Sequence, residues 1–97
     1  MDIVVMEEGK PYLFAIKGRL DTNTSPQLED FVGKLYETGV ADIAVDMADC
    51  GFVSSAGLRV LVIMRKACSG GVTLSNPNEI IVDVLEQTGF AAVLTIA

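Results

Sequence analysis

The sequence predicts a single α/β domain with a mixed sheet, in the order strand, strand, helix, strand, helix, strand, helix, strand. Three observations predict it. Short apolar runs of strand length alternate with stretches whose apolar residues recur every three or four positions. Glycine, proline and asparagine stand at the boundaries. From the second strand onward each strand is followed by a helix, which implies parallel pairing through crossovers, while the opening hairpin adds one antiparallel pair.

The elements follow in order. Ile3–Met6 is an apolar strand, and Glu7-Glu8-Gly9-Lys10-Pro11 is the turn that leads into a second strand over Tyr12–Lys17. Gly18–Pro26 is a polar connection ending in a helix start. Either Ser25 caps with Pro26 at the first helical position, or Thr24 caps with Gln27 three residues on. That helix runs to about Glu37, with Leu28, Phe31, Val32 and Leu35 on one face, and Thr38-Gly39 stops it. Asp42–Met47 is the third strand, and Ala48–Val53 is a loop into a helix from about Ser55 to Cys68. Ser69-Gly70-Gly71 ends that helix. Val72–Leu74 is a short strand, Ser75–Asn78 a turn and cap, Glu79–Gln87 the last helix and Val93–Ile96 the last strand.

The chain of 97 residues suits one domain spanning positions 1–97. With 51 % hydrophobic and 21 % charged residues it reads as folded and globular. A net charge of -6 repels nucleic acid and anionic membranes but suits a protein partner with a basic patch. There is no histidine, and Cys50 and Cys68 lack metal-ligand spacing, so no metal site and no Cys/His nucleophile is expected. The thiols read as reduced and cytosolic. Met1–Val5 lacks a basic leader region, and no apolar run reaches spanning length. Nothing suggests oligomerisation, so a monomer is expected.

The informative stretch is Asp49-Cys50-Gly51-Phe52-Val53-Ser54-Ser55-Ala56-Gly57-Leu58-Arg59, which joins a strand to a helix. A helix start offers free N–H groups and the positive end of the dipole. By itself a serine there is simply an N-cap. A catalytic serine is not supported: no histidine can act as base, Gly-x-Ser-x-Gly is absent, and Lys66 lies three turns along the helix. At 100° per residue, Ala56, Val60, Ile63, Met64 and Ala67 project toward the sheet, with Gly57, Leu61 and Cys68 beside them. Ser55, Leu58, Arg59, Val62 and Lys66 project outward. Apolar and basic residues mixed on one outward face mark a docking surface. Gly57 on the packed face would let helix and sheet approach closely. Cys50 adjoins the serines, but nothing near it lowers its pKa.

The stretch from Asp49 to Leu58 resembles the signature of STAS domains of the anti-sigma factor antagonist type. Gly18-Arg19-Leu20-Asp21 is similar to that family's Gly-Glu-Leu-Asp, and Leu85-Glu86-Gln87-Thr88-Gly89-Phe90 to its late Leu-x-x-Thr/Ser-Gly-Leu/Phe. The resemblance implies a non-enzymatic binding module without cofactor. It implies an unphosphorylated form that binds an anti-sigma factor, itself a serine kinase of the histidine-kinase-like ATPase type, and so frees a sigma factor or other client. Phosphorylation ends binding, and a metal-dependent serine phosphatase resets the cycle. The phosphoacceptor aligns with Ser55, and Asp21 with the acidic residue beside it. Ser54 stands where the family often has Asp. The partner surface implied is Asp21, Ser54, Ser55, Leu58, Arg59, Val62 and Lys66. Two other readings stay open: a STAS scaffold subunit of an ATPase or transport complex that is never phosphorylated, and a small enzyme or nucleotide binder using the helix start.

Overall fold

The protein was analysed as a computed structural model, which describes residues 1–92 and 94–96. Its elements are β1 (Asp2–Glu8), β2 (Tyr12–Leu20), α1 (Ser25–Glu37), β3 (Asp42–Asp46), β4 (Cys50–Val53), α2 (Ser55–Ala67), β5 (Gly71–Ser75), α3 (Glu79–Thr88), a 3-10 turn (Phe90–Ala92) and β6 (Thr95–Ile96). Val93, expected to open the last strand, lies outside the described residues.

The sheet is mixed, with strands ordered β1-β2-β3-β5-β6 and β4 paired to β2. β1 and β2 form the antiparallel hairpin, and the remaining pairs are parallel. Register aligns Tyr12, Ile43 and Val72 across the sheet, and beside them Phe14, Val45 and Leu74. All six are buried and join one core with Leu28, Val32, Leu61, Met64, Ile81 and Leu85 from the helices. Phe31 adds its ring edge-on to Phe14, with centroids 4.9 Å apart.

β2 is the strand that positions the site. It is longer than β3, so Tyr12–Ala15 pairs with β3 while Gly18–Leu20 is left for β4. Gly18 sits at a register shift with φ +104°, a backbone that other residues rarely adopt, and its N–H donates to the Asp49 carbonyl at 3.0 Å. The region expected to be a loop therefore holds a short strand, because the overhang of β2 offers it a partner. Asn78 ties the same strand to α3: its side-chain oxygen caps the helix at the Ile81 N–H, and its amide donates to the Cys50 and Gly51 carbonyls.

α2 is turned by about a quarter turn from the face read off the helical projection. Its buried residues are Gly57, Leu58, Val60, Leu61 and Met64, followed by the cap Cys68, whereas Ile63 is exposed. Gly57 sets this rotation. It lies against Leu20, where an added Cβ would meet Leu20 Cγ at 2.7 Å and the Leu20 carbonyl oxygen at 2.8 Å. The close approach expected of Gly57 is present, and it carries Leu58 inward with it.

Candidate functional site

The two serines do different things. Ser54 is the N-cap of α2, with extended backbone, and its hydroxyl accepts the Gly57 N–H at 3.2 Å. Its own N–H donates to the Leu20 carbonyl at 2.8 Å, which moors the cap to the end of β2. Ser55 is the first helical residue and is exposed, and its hydroxyl has no hydrogen bond among the described residues. Structural duty falls to one serine, and the other presents a free hydroxyl.

Ser55 stands on the rim of a groove of about 520 Å³ lined by Leu58, Arg59, Val62, Ile63, Lys66, Thr88 and Phe90. The structure thus gathers Ser55, Leu58, Arg59, Val62 and Lys66 along one groove. Leu58 differs from its outward placement: only 4 % of it is exposed, and it forms groove wall and core boundary together. Ile63, Thr88 and Phe90 line the groove too, beyond the residues the sequence points to; the helical projection places Ile63 on the packed face, yet it is exposed. Phe90 follows the left-handed Gly89 that ends α3, so the chain turns there and places Phe90 in the groove lining together with the α2 residues.

Asp21 lies outside this groove, one residue beyond Leu20, the residue that holds Ser54. Its carboxylate accepts the Asn23 and Thr24 N–H groups at 3.0 and 3.1 Å, and it shares the single proton of the Thr24 hydroxyl, 3.2 Å away, with the Arg19 carbonyl. Arg19 Nε stands 3.7 Å away. Burial pushes the Asp21 carboxyl up, but the bonds from Thr24 and Asn23 and the Arg19 charge outweigh it, so its pKa lies below the ordinary value. Thr24 occupies the N-cap position of α1 without a capping bond: its hydroxyl oxygen accepts the Asp21 N–H at 2.8 Å instead, and its proton faces the Arg19 carbonyl at 2.8 Å. Arg19 also lies over the Phe52 ring, 4.3 Å from the centroid. Cys50 is buried, and burial pushes its thiol pKa up. Among the described residues no group of three or more metal-binding side chains is assembled, and no helix is long and apolar enough to cross a membrane.

The family model of the STAS domain matches residues 2–97. The chain belongs to the STAS domain family. A comparison with curated proteins gives no match. Among solved structures, this STAS domain is similar to Thermotoga maritima TM1081, a candidate anti-sigma factor antagonist, at 19 % identity and TM-score 0.81, over 98 % of this chain and 83 % of that one. It is also similar to the anti-sigma factor antagonist SpoIIAA of Bacillus. For the unphosphorylated form the identity is 17 % and the TM-score 0.74, over 99 % of this chain and 87 % of that one. For the phosphorylated form the values are 16 % and 0.76, over 99 % and 91 %. At these identities the likeness is one of fold, and the mixed sheet with three helices is that shared fold.

Proposed function

We propose that this STAS domain is an anti-sigma factor antagonist switched at Ser55. Its unphosphorylated form binds, as a cytoplasmic monomer, an anti-sigma factor that is also a serine kinase of the histidine-kinase-like ATPase type, and the sigma factor or other client is freed. The kinase then transfers the γ-phosphoryl group of ATP. A bond forms between Ser55 Oγ and phosphorus, the bond to the ADP oxygen breaks, and the hydroxyl proton is lost. The phosphorylated chain lets go. A serine phosphatase hydrolyses the ester with water, returning Ser55 and inorganic phosphate.

The observation that carries this reading is the division between the serines: Ser54 is spent on the cap, and Ser55 is exposed at the groove rim. Family membership and a fold shared with SpoIIAA, a protein with both unphosphorylated and phosphorylated forms, support it. The physics agrees in sign. A phosphate adds about -1.5 to -2 charge. At the start of α2 it is favourable by roughly 0.3–1 kcal/mol, so the fold survives. A partner seated over Leu58 and Val62 would have to bury that charge, which costs several times more unless it is paired.

Binding of the Ser55→Ala and Ser55→Asp variants to the host's anti-sigma factor kinases tests the reading. The first should bind as the unphosphorylated parent does and the second at least about tenfold more weakly, a difference of about 1.4 kcal/mol. Equal affinities would remove Ser55 from the mechanism. Tight binding without modification of Ser55 would instead identify a scaffold subunit.

A further inference from the structure

α2 is the basic element of an acidic chain. It carries Arg59, Arg65 and Lys66 and no carboxylate, in a protein of net charge -6. The cations near Ser55 are not equivalent. Arg19 is engaged, lying over Phe52 at 4.3 Å and beside Asp21 at 3.7 Å. Lys66 stands eleven positions beyond Ser55, about 16 Å along the helix axis. Arg59 is four positions beyond Ser55, on the same groove rim, and makes no ion pair and no side-chain hydrogen bond among the described residues.

We infer that Arg59 receives the Ser55 phosphate, so that phosphorylation withdraws a cation from the partner groove as well as adding an anion to it; this rests on the reading of Ser55 as the acceptor. Positions four apart on a helix face one another, with Cβ atoms about 5–6 Å apart, and an anion N-terminal to its cation is the favoured order. The guanidinium fork matches two phosphate oxygens. Before phosphorylation the free guanidinium faces the groove, where an acidic side chain of the partner can pair with it. Afterwards its population shifts toward the phosphate on its own helix. The other charged groups that line its two depressions are Glu29 on α1 and Lys66 on its own helix.

The test places phosphoserine at position 55 during translation, which needs no kinase, and follows the second phosphate ionisation by phosphorus NMR. Arg59→Gln should raise that pKa by about 0.2–0.4 unit, the worth of one such pair. Arg59→Lys should restore most of the difference. Lys34→Gln, at the far end of α1, controls for net charge and should leave the value unchanged. A pKa unaltered by Arg59→Gln, or raised equally by Lys34→Gln, overturns the inference. Because no kinase is involved, a clamp that fails here is distinguishable from a Ser55 that no kinase modifies.

Discussion

Leu20 and Gly57 meet with no room for a side chain: an added Cβ would lie 2.7 Å from Leu20 Cγ and 2.8 Å from the Leu20 carbonyl oxygen. The side chain could shift, but that carbonyl already accepts the Ser54 N–H at 2.8 Å and is fixed in β2. Gly57→Ala would gain about 1 kcal/mol of helix propensity and lose about 1–3 to overpacking. The expected result is net destabilisation of up to about 2 kcal/mol, read as a lower denaturant midpoint, with slower phosphorylation of Ser55 because the moored Ser54 beside it is displaced. A stabilised variant would contradict the contact.

Ser54 and Ser55 should separate cleanly by stability. Ser54→Ala removes the cap and should cost about 0.5–2 kcal/mol in urea unfolding. Ser55→Ala removes an exposed hydroxyl without a partner and should stay within about 0.5 kcal/mol of the parent. Equal losses would show that Ser55 has a structural bond.

Asp21 supplies an acid-side prediction. Its carboxyl lies below the ordinary value of 3.8, burial being outweighed by the Thr24 and Asn23 N–H bonds and Arg19. A depressed folded-state pKa gives stability that is present above the unfolded value and is lost as pH falls through the folded one. The advantage of the parent over Asp21→Asn should therefore hold at pH 5 and shrink below about pH 4. Thermal unfolding of both at pH 5 and at low pH checks it; a gap that widens in acid would contradict the sign.

On the alkaline side, burial raises the pKa of Cys50 and Cys68, and of Tyr36 beside Cys68. A raised folded-state pKa gives stability that is present below the unfolded value and is lost as pH rises through the folded one. Stability should thus decline above about pH 9, the ordinary thiol value. Neither thiol should react readily with a thiol reagent in the folded chain at pH 8, and both should react on unfolding. Rapid labelling of folded Cys50 would contradict its burial.

Most elements were readable from periodicity and punctuation, because the buried face of each strand and helix repeats at its own spacing. What escaped depended on tertiary fit. Cys50–Val53 is short and contains a glycine, and it becomes a strand only because β2 extends past β3. A projection weighs all apolar residues alike, so it could not foresee that the Gly57–Leu20 contact would turn Leu58 inward and leave Ile63 exposed. Thr88 and Phe90 reach the groove from α3 and the turn after it, a juxtaposition that no local pattern encodes. Which of the two adjacent serines caps α2 was equally hidden, since both are good capping residues and the backbone decides, whereas the family resemblance had already aligned the acceptor with Ser55.

The most direct measurement incubates the protein with the host's anti-sigma factor kinases and ATP, maps the phosphate by mass spectrometry, and weighs the affinity of the modified and unmodified chains. One phosphate is expected, on Ser55, retained in Ser54→Ala and abolished in Ser55→Ala, with loss of binding once it is added. A phosphate on Ser54, or undiminished binding with Ser55 phosphorylated, would contradict the switch at Ser55.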